Sequence, residues 1–226
     1  MKIKLIGCHS TMNEVRWLGA DSEADCVFLD YSFHARPDKL HRKLQEIINE
    51  SQDYDLIILT YSRCSNSVIG LVSPNVPLLF PATHDCIGLM LGSNARHMKM
   101  FKKSPATYYF SQGWLDYGRT PYAEFLEYRE RYGENKAKKI INALYGRYKK
   151  AVLIITPGMK DIDNYRLQVK EIADFFGWEA GEVEGDLNLL KSVLNGYGTL
   201  ETVYVKPGKP VTEKMFTPGG RDDNQN

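Results

Sequence analysis

Three of the four cysteines in this sequence follow hydrophobic stretches that are typical of buried β-strands. These cysteines, each just beyond the carboxyl end of its stretch, are Cys8, Cys64 and Cys86. In an open parallel α/β sheet the carboxyl ends of the strands share one edge, and ligands bind there. We therefore expect three thiols that are far apart in the sequence to lie close together in space.

His84 and Cys86 form a His-x-Cys pair, which adds an imidazole to the thiols. Zinc takes Cys and His ligands in tetrahedral sites, and three protein ligands leave a fourth position for chemistry. Three thiolates could instead hold an iron–sulfur cluster with one open iron. The sequence thus predicts a metal site at Cys8, Cys64, His84 and Cys86, with zinc as the first choice and a [4Fe-4S] cluster as the second.

The same cysteines have plainer interpretations. The sequence contains no Cys-x-x-Cys pair, and a buried cysteine also packs as a small apolar residue. In a metal-free alternative, Cys86 near a helix start is a reactive thiol. Asp85 could cap that helix or orient a histidine. Cys26 lies within the second strand-like stretch and is assigned to the core.

An aromatic segment further along the chain provides candidates for a cofactor pocket. Tyr108, Tyr109 and Trp114 could form one of its walls, and His9 could bind a cofactor from the first half. Core packing at the junction of two halves is the alternative. His34 could face the same edge of the sheet. No residue is assigned a catalytic role.

Composition narrows the class of protein. The chain has 226 residues, is 43% hydrophobic and 25% charged, and carries a net charge of +1. So small a charge argues against binding to nucleic acid or to an anionic membrane through bulk electrostatics. The sequence shows neither a signal peptide nor the ~20-residue apolar stretch of a membrane span. We expect a cytoplasmic protein whose cysteines stay reduced.

Strand and helix signals alternate along the chain with short connections. This pattern predicts an α/β fold with Rossmann-like parallel sheets, helices on both faces, and two loosely similar halves around a cleft. The halves are predicted at residues 1–104, which carry the Cys/His cluster, and 105–210. Residues 211–226 are predicted to be a disordered tail. His97 is predicted to lie on the surface of a helix.

Several short motifs resemble a family known as domain of unknown function 1638, over roughly residues 2–208. The motifs are Gly7-Cys8, His34-Ala35-Arg36-Pro37, Tyr61-Ser62-Arg63-Cys64, His84-Asp85-Cys86-Ile87, Leu91-Gly92-Ser93, Thr107-Tyr108-Tyr109, Gly113-Trp114 and Tyr132-Gly133-Glu134-Asn135. The family usually has a Leu-Cys-Gly type sequence where this chain has Arg63-Cys64-Ser65. The backbone freedom of a glycine after the cysteine is therefore lost here.

Members of that family occur near corrinoid-dependent methyl-transfer systems of anaerobes and methanogens. The resemblance implies a metal-binding protein of one-carbon or corrinoid methyl metabolism, as a methyltransferase or a metal-dependent accessory enzyme. A zinc ion could bind and deprotonate a substrate thiol, which would accept a methyl group. The implied partners are a small-molecule substrate and a corrinoid protein or methyltransferase.

A non-catalytic module is the alternative that the resemblance leaves open. It would hold a corrinoid or another large cofactor against Tyr108, Tyr109 and Trp114, with His84 or His9 as an axial ligand. The usual corrinoid-binding Asp-x-His-x-x-Gly sequence is absent.

Overall fold

The structure is a computed structural model that describes residues 1–63, 66–196 and 198–217. The first part of the chain forms β1 (Ile3–Cys8), α1 (Met12–Trp17), β2 (Asp25–Leu29), α2 (Pro37–Glu50), β3 (Leu56–Leu59), β4 (Leu78–Pro81), α3 (Cys86–Met90) and α4 (Asn94–Lys103). The rest forms β5 (Thr107–Phe110), α5 (Gln112–Tyr117), α6 (Pro121–Tyr132), α7 (Glu134–Tyr145), β6 (Lys150–Ile155), α8 (Ile162–Phe176), β7 (Glu179–Glu184), α9 (Asn188–Leu194) and β8 (Thr202–Val205).

The first sheet has the strand order β2-β1-β3-β4-β8. The first four strands are parallel, and β8 pairs with β4 in the antiparallel direction. All four residues of β3 are buried apolar residues, as expected for a central parallel strand that is covered on both faces. The apolar side of α2, with Leu40, Leu44 and Ile48, packs on one face of this sheet.

The second sheet has the order β5-β6-β7 and is parallel throughout. Its core joins Phe110 and Leu153 from the strands to Trp178 and Val169. Parallel sheets flanked by helices confirm the predicted Rossmann-like α/β class.

The two sheets meet through segments that follow their carboxyl ends. Asn13 of α1 donates a hydrogen bond of 3.0 Å to Asp116 of α5. A Cβ atom built on Gly113 would lie 2.5 Å from the carbonyl oxygen of Ser10, so the two backbones are in direct contact there. The two strand edges therefore border a shared cleft.

The last strand does not stay with the half to which the sequence assigns it. β8 lies within the predicted second half, 105–210, but it pairs with β4 of the first sheet. Leu189, Leu190 and Val193 of α9 also pack with Leu5 and Ile58 of that sheet. Pairing between strands so distant in sequence leaves no local signal, which explains why the sequence pattern does not assign β8 to the first sheet.

The predicted disordered tail is wrong for residues 211–217. Residues Glu213–Phe216 form a 3₁₀ turn, and Val211, Met215 and Phe216 are buried in the first core. The Phe216 ring packs edge-on against Phe80 of β4 at 6.2 Å. Apolar anchors outweigh the Pro/Gly-rich composition here, while residues 218–226 lie outside the described part of the chain.

No helix formed by the described residues is both long and apolar enough to cross a membrane.

Candidate functional site

A cavity of about 200 Å³ lies between the carboxyl ends of the two sheets. Asp85 and Cys86 line it from the first sheet. Tyr108, Tyr109 and Trp114 line it from the second. The structure therefore brings one predicted metal ligand together with the three aromatic residues that the sequence indicates for a cofactor pocket.

Cys86 owes its position to the start of α3. Asp85, at the N-cap, accepts hydrogen bonds at Oδ1 from the backbone N–H groups of Ile87 (3.0 Å) and Gly88 (3.3 Å). This is the side-chain cap that aspartate commonly provides, as the sequence predicts. The first helical residue is then Cys86, whose side chain is half-buried in the cavity wall.

Asp85 also lies between two imidazoles. His84 Nδ1 is 3.2 Å from Asp85 Oδ2, and His97 Nδ1 is 3.5 Å from Asp85 Oδ1. Burial alone would raise the pKa of Asp85, but the hydrogen bond from His84 and the charge of His97 bring it below its usual value. The carboxylate is therefore ionised at neutral pH.

The pKa values of the two histidines shift in opposite directions. The hydrogen bond to Asp85 raises the pKa of His84, which is an exposed side chain. Burial lowers the pKa of His97, and its Nδ1 has no hydrogen-bond partner among the described residues. The predicted surface position of His97 is wrong: it is buried and packs edge-on against Tyr109 at 5.9 Å. The polarity of histidine favours a surface position, but the Tyr109 ring provides an apolar surface against which His97 packs.

The aromatic wall of the cavity continues into the segment after β2. Trp114 packs edge-on against Tyr31 (4.6 Å) and His34 (5.2 Å), and these two rings stack at 5.4 Å. The indole Nε1 of Trp114 is buried without a hydrogen-bond partner in the described parts of the chain. His34 lies in the cavity wall, as the sequence indicates, whereas Tyr31 is a neighbour that the sequence analysis misses. Its position in the sequence is a signal for this role, because Tyr31 follows the end of a strand and lies three residues before His34.

These rings remain uncharged near neutral pH. Burial lowers the pKa of His34 and raises the pKa values of Tyr31, Tyr108 and Tyr109. The wall is therefore a neutral surface, and the charge nearest in sequence to Cys86 is that of Asp85.

Two other predicted metal ligands, Cys8 and His84, do not line this cavity. Cys8 is buried with Tyr61 in the first core, where its Sγ accepts a hydrogen bond from the Ser10 backbone at 3.5 Å. Burial raises the pKa of Cys8, which favours the thiol over the thiolate that binds metals. The His84 side chain is 61% exposed, and Cys64 lies outside the described residues.

Within the described ranges, no group of three or more His, Cys, Asp or Glu side chains is arranged to hold a metal ion. Cys8, His84 and Cys86 are therefore not arranged as such a group. His9, predicted as a cofactor ligand, packs 5.2 Å from the Tyr117 ring and lies 3.9 Å from Asp30. It does not line the cavity.

The strand ends that precede the three cysteines are nevertheless neighbours. β3 lies between β1 and β4, and hydroxyl pairs link the segments that follow them. Thr11 lies 2.7 Å from Thr60, and Ser62 lies 2.5 Å from Thr83, oxygen to oxygen. The segments after β1, β3 and β4 are therefore adjacent, up to residue 63 for the segment after β3.

A family model described as protein of unknown function (DUF1638) matches residues 28–194. The chain belongs to this family. The DUF1638 match spans well over half of the chain and contains His34, Asp85, Cys86 and Trp114, whereas Cys8 precedes it. The comparisons with curated proteins and with solved structures found no match.

Proposed function

We propose that this DUF1638 protein binds a small, mainly apolar substrate in the cavity between its two sheets, and that the thiol of Cys86 reacts with it. The observation that carries the proposal is the placement of Cys86 in a wall shared with Tyr108, Tyr109 and Trp114. A thiolate is the nucleophilic form of cysteine, and a site with apolar walls keeps water away from the reacting atoms.

The size of the cavity limits the substrate. Its volume of about 200 Å³ is below the roughly 300–1,000 Å³ of pockets for drug-sized ligands. A corrinoid ring does not fit inside. In a corrinoid methyl pathway, the corrinoid would therefore sit on a partner protein and only the small methyl donor or acceptor would enter the cavity.

Methyl transfer is the reaction that suits these groups within one-carbon metabolism. The Cys86 sulfur attacks a methyl carbon, an S–CH₃ bond forms, and the electron pair of the broken bond leaves with the donor. The thiol proton passes to a base, for which the uncharged imidazole of His34 in the same cavity wall is the candidate. The Asp85 carboxylate is not the base, because its pKa lies below its usual value.

In the second form of the proposal, a metal binds the thiolate. The hydrogen bonds that link the segments after β1, β3 and β4 support this form, because the three cysteines lie in or next to these segments in the sequence. Zinc, or a [4Fe-4S] cluster, would be held by Cys64 and Cys86 with Cys8 or His84. Such a metal would keep the thiols deprotonated. The protonated state favoured at Cys8 and the contact of His84 with Asp85 count against this form.

Metal analysis with a visible spectrum, on protein purified without oxygen, separates the two forms. The wild type is compared with Cys86→Ser and with the control Cys26→Ser, whose sulfur lies instead near the Ala20 and Ala24 carbonyls. About one zinc, or iron with sulfide, that is lost only in Cys86→Ser supports the metal form. No metal in any sample rules that form out.

The cavity itself is tested by thiol-specific reagents. Methyl methanethiosulfonate is small and neutral, whereas its sulfonatoethyl analogue is larger and charged. We expect the neutral reagent to modify Cys86 at least about tenfold faster, because the neutral aromatic walls disfavour a charge that has lost its water. Peptide mass spectrometry reports each cysteine separately. Equal rates at Cys86 with both reagents would contradict the proposed substrate class.

A further inference from the structure

Glu14 is a buried acid that the proposed function does not use. It lies on α1 and is 1% exposed. Its Oε1 accepts a hydrogen bond of 2.9 Å from the Thr156 hydroxyl at the end of β6, but its Oε2 has no partner among the described residues. A buried acceptor without a donor costs free energy, so this oxygen calls for a ligand or another explanation.

Glu14 forms part of the wall of a second cavity. This space of about 280 Å³ lies between α1 and the turn that follows β6, and its wall shares no residue with that of the first cavity. Trp17 also lines it, although this ring is 57% exposed. Gly158 has a φ of +85°, and a side chain there would overlap the Trp17 ring. The ring therefore packs directly on the turn.

Two basic residues complete the charge pattern of the wall. Lys160 is exposed and forms no ion pair with any described residue. Arg16 lies 3.9 Å from Asp21, a long ionic contact. The cavity thus combines a buried carboxyl group, an exposed indole and an exposed ammonium group.

We propose that this second cavity binds a small zwitterion, whose protonated nitrogen contacts Glu14 Oε2 and Trp17 and whose acidic group pairs with Lys160. Charge-assisted hydrogen bonds to carboxylates are among the strong ones, and an indole face attracts cations. A ligand with both charges fits a wall that offers both partners, whereas a simple cation would leave the charge of Lys160 uncompensated.

The raised pKa of Glu14 is consistent with the binding of a zwitterion. Burial raises the pKa of Glu14 to about 7, and the charge of Asp116 adds to the rise. A bound ammonium group favours the ionised carboxylate, while Arg16 and Lys160 act in the same direction. Binding at pH 6 should therefore release a proton from Glu14.

The test is isothermal titration calorimetry of the full chain with four probes. Glycine and β-alanine carry both charges at two spacings, methylammonium carries the positive charge alone, and acetate carries the negative charge alone. We expect one zwitterion to bind at least about tenfold more tightly than either single-charge probe. At pH 6, its heat should depend on the ionisation enthalpy of the buffer, because a proton is released.

Variants assign the two charges. Glu14→Gln should lose binding of zwitterions and of methylammonium, and Lys160→Gln should reduce zwitterion affinity to that of methylammonium. Glu171→Gln, on the exposed side of α8, is the matched control and should bind as the wild type does. Circular dichroism checks that each variant is folded. Absence of heat with both zwitterions at about 100 mM, or unchanged zwitterion affinity in folded Glu14→Gln, would overturn the proposal.

Discussion

The backbone of Gly113 lies directly against the carbonyl of Ser10, so close that a Cβ atom would come within 2.5 Å of the oxygen. This contact joins the start of α5 to the segment after β1. Trp114 is the next residue, so the same contact also sets the position of the aromatic wall.

We expect Gly113→Ala to lower the free energy of unfolding by about 1–3 kcal/mol, because the added methyl group forces two backbones apart. Urea unfolding measures this loss. Gly181→Ala is the control, since its Cβ would meet only Val152 at 3.8 Å and such a surface change usually costs less than about 0.5 kcal/mol. Equal effects of the two substitutions would show that the contact is not tight.

Glu14 should make the stability depend on pH. Its pKa rises from 4.5 to about 7 on folding because the carboxyl group is buried. Between these values the folded protein holds the proton more tightly than the unfolded chain, so raising the pH favours unfolding. The contribution is complete below pH 4.5 and is lost above about pH 7; it amounts to roughly 3 kcal/mol.

The measurement is urea unfolding of the wild type and of Glu14→Gln across this pH range. The glutamine variant cannot ionise, so its stability relative to the wild type should improve as the pH rises. A difference that stays constant with pH would show that Glu14 titrates at an ordinary value.

Asp85→Asn should separate the capping role of this residue from its charge. Asparagine also caps helices well, so α3 should remain. The pKa of His84 should fall, because the hydrogen bond that its ring donates to a charged carboxylate is what raises it. NMR titration of the histidine ring protons measures the change. Asp38→Asn, at an exposed pair with Arg42, should leave the His84 titration where it was.

The same variant tests the chemistry proposed for Cys86. The negative charge of Asp85 next to Cys86 disfavours the thiolate, so Asp85→Asn should speed modification of Cys86 by methyl methanethiosulfonate at neutral pH. A rate at Cys86 equal to that of the wild type would show that this charge does not act on the thiol.

Phe216 should stabilise the first core although it lies near the carboxyl terminus. Phe216→Ala is expected to cost about 3 kcal/mol, since large aromatic-to-alanine changes in cores are of this size. Thermal or urea unfolding gives the value. Leu200→Ala is the control, because Leu200 is almost fully exposed. A loss no larger than in that control would mean that the segment does not dock in solution.

Local patterns predict the parallel sheets, because a central strand such as β3 must be apolar on both faces. They also predict the Asp85 cap and the aromatic wall, since both depend on residues near one another in sequence. Other features depend on packing between distant segments. The burial of His97 against Tyr109, the core position of Cys8 and the unpartnered oxygen of Glu14 have no local sequence signal. Phe216 shows the same limit, because the polar, Pro- and Gly-containing sequence around it conceals an apolar anchor.

The return of β8 to the first sheet has a mechanical consequence. The described chain crosses from the first sheet to the second at residues 104–106, and it crosses back after β7, ahead of α9 and β8. Two covalent links therefore join the halves. With both links intact, the cleft can open mainly by rotation of one half about the line that connects the links. A protease that cut either link alone would leave the halves connected, and release of one half would require cuts at both.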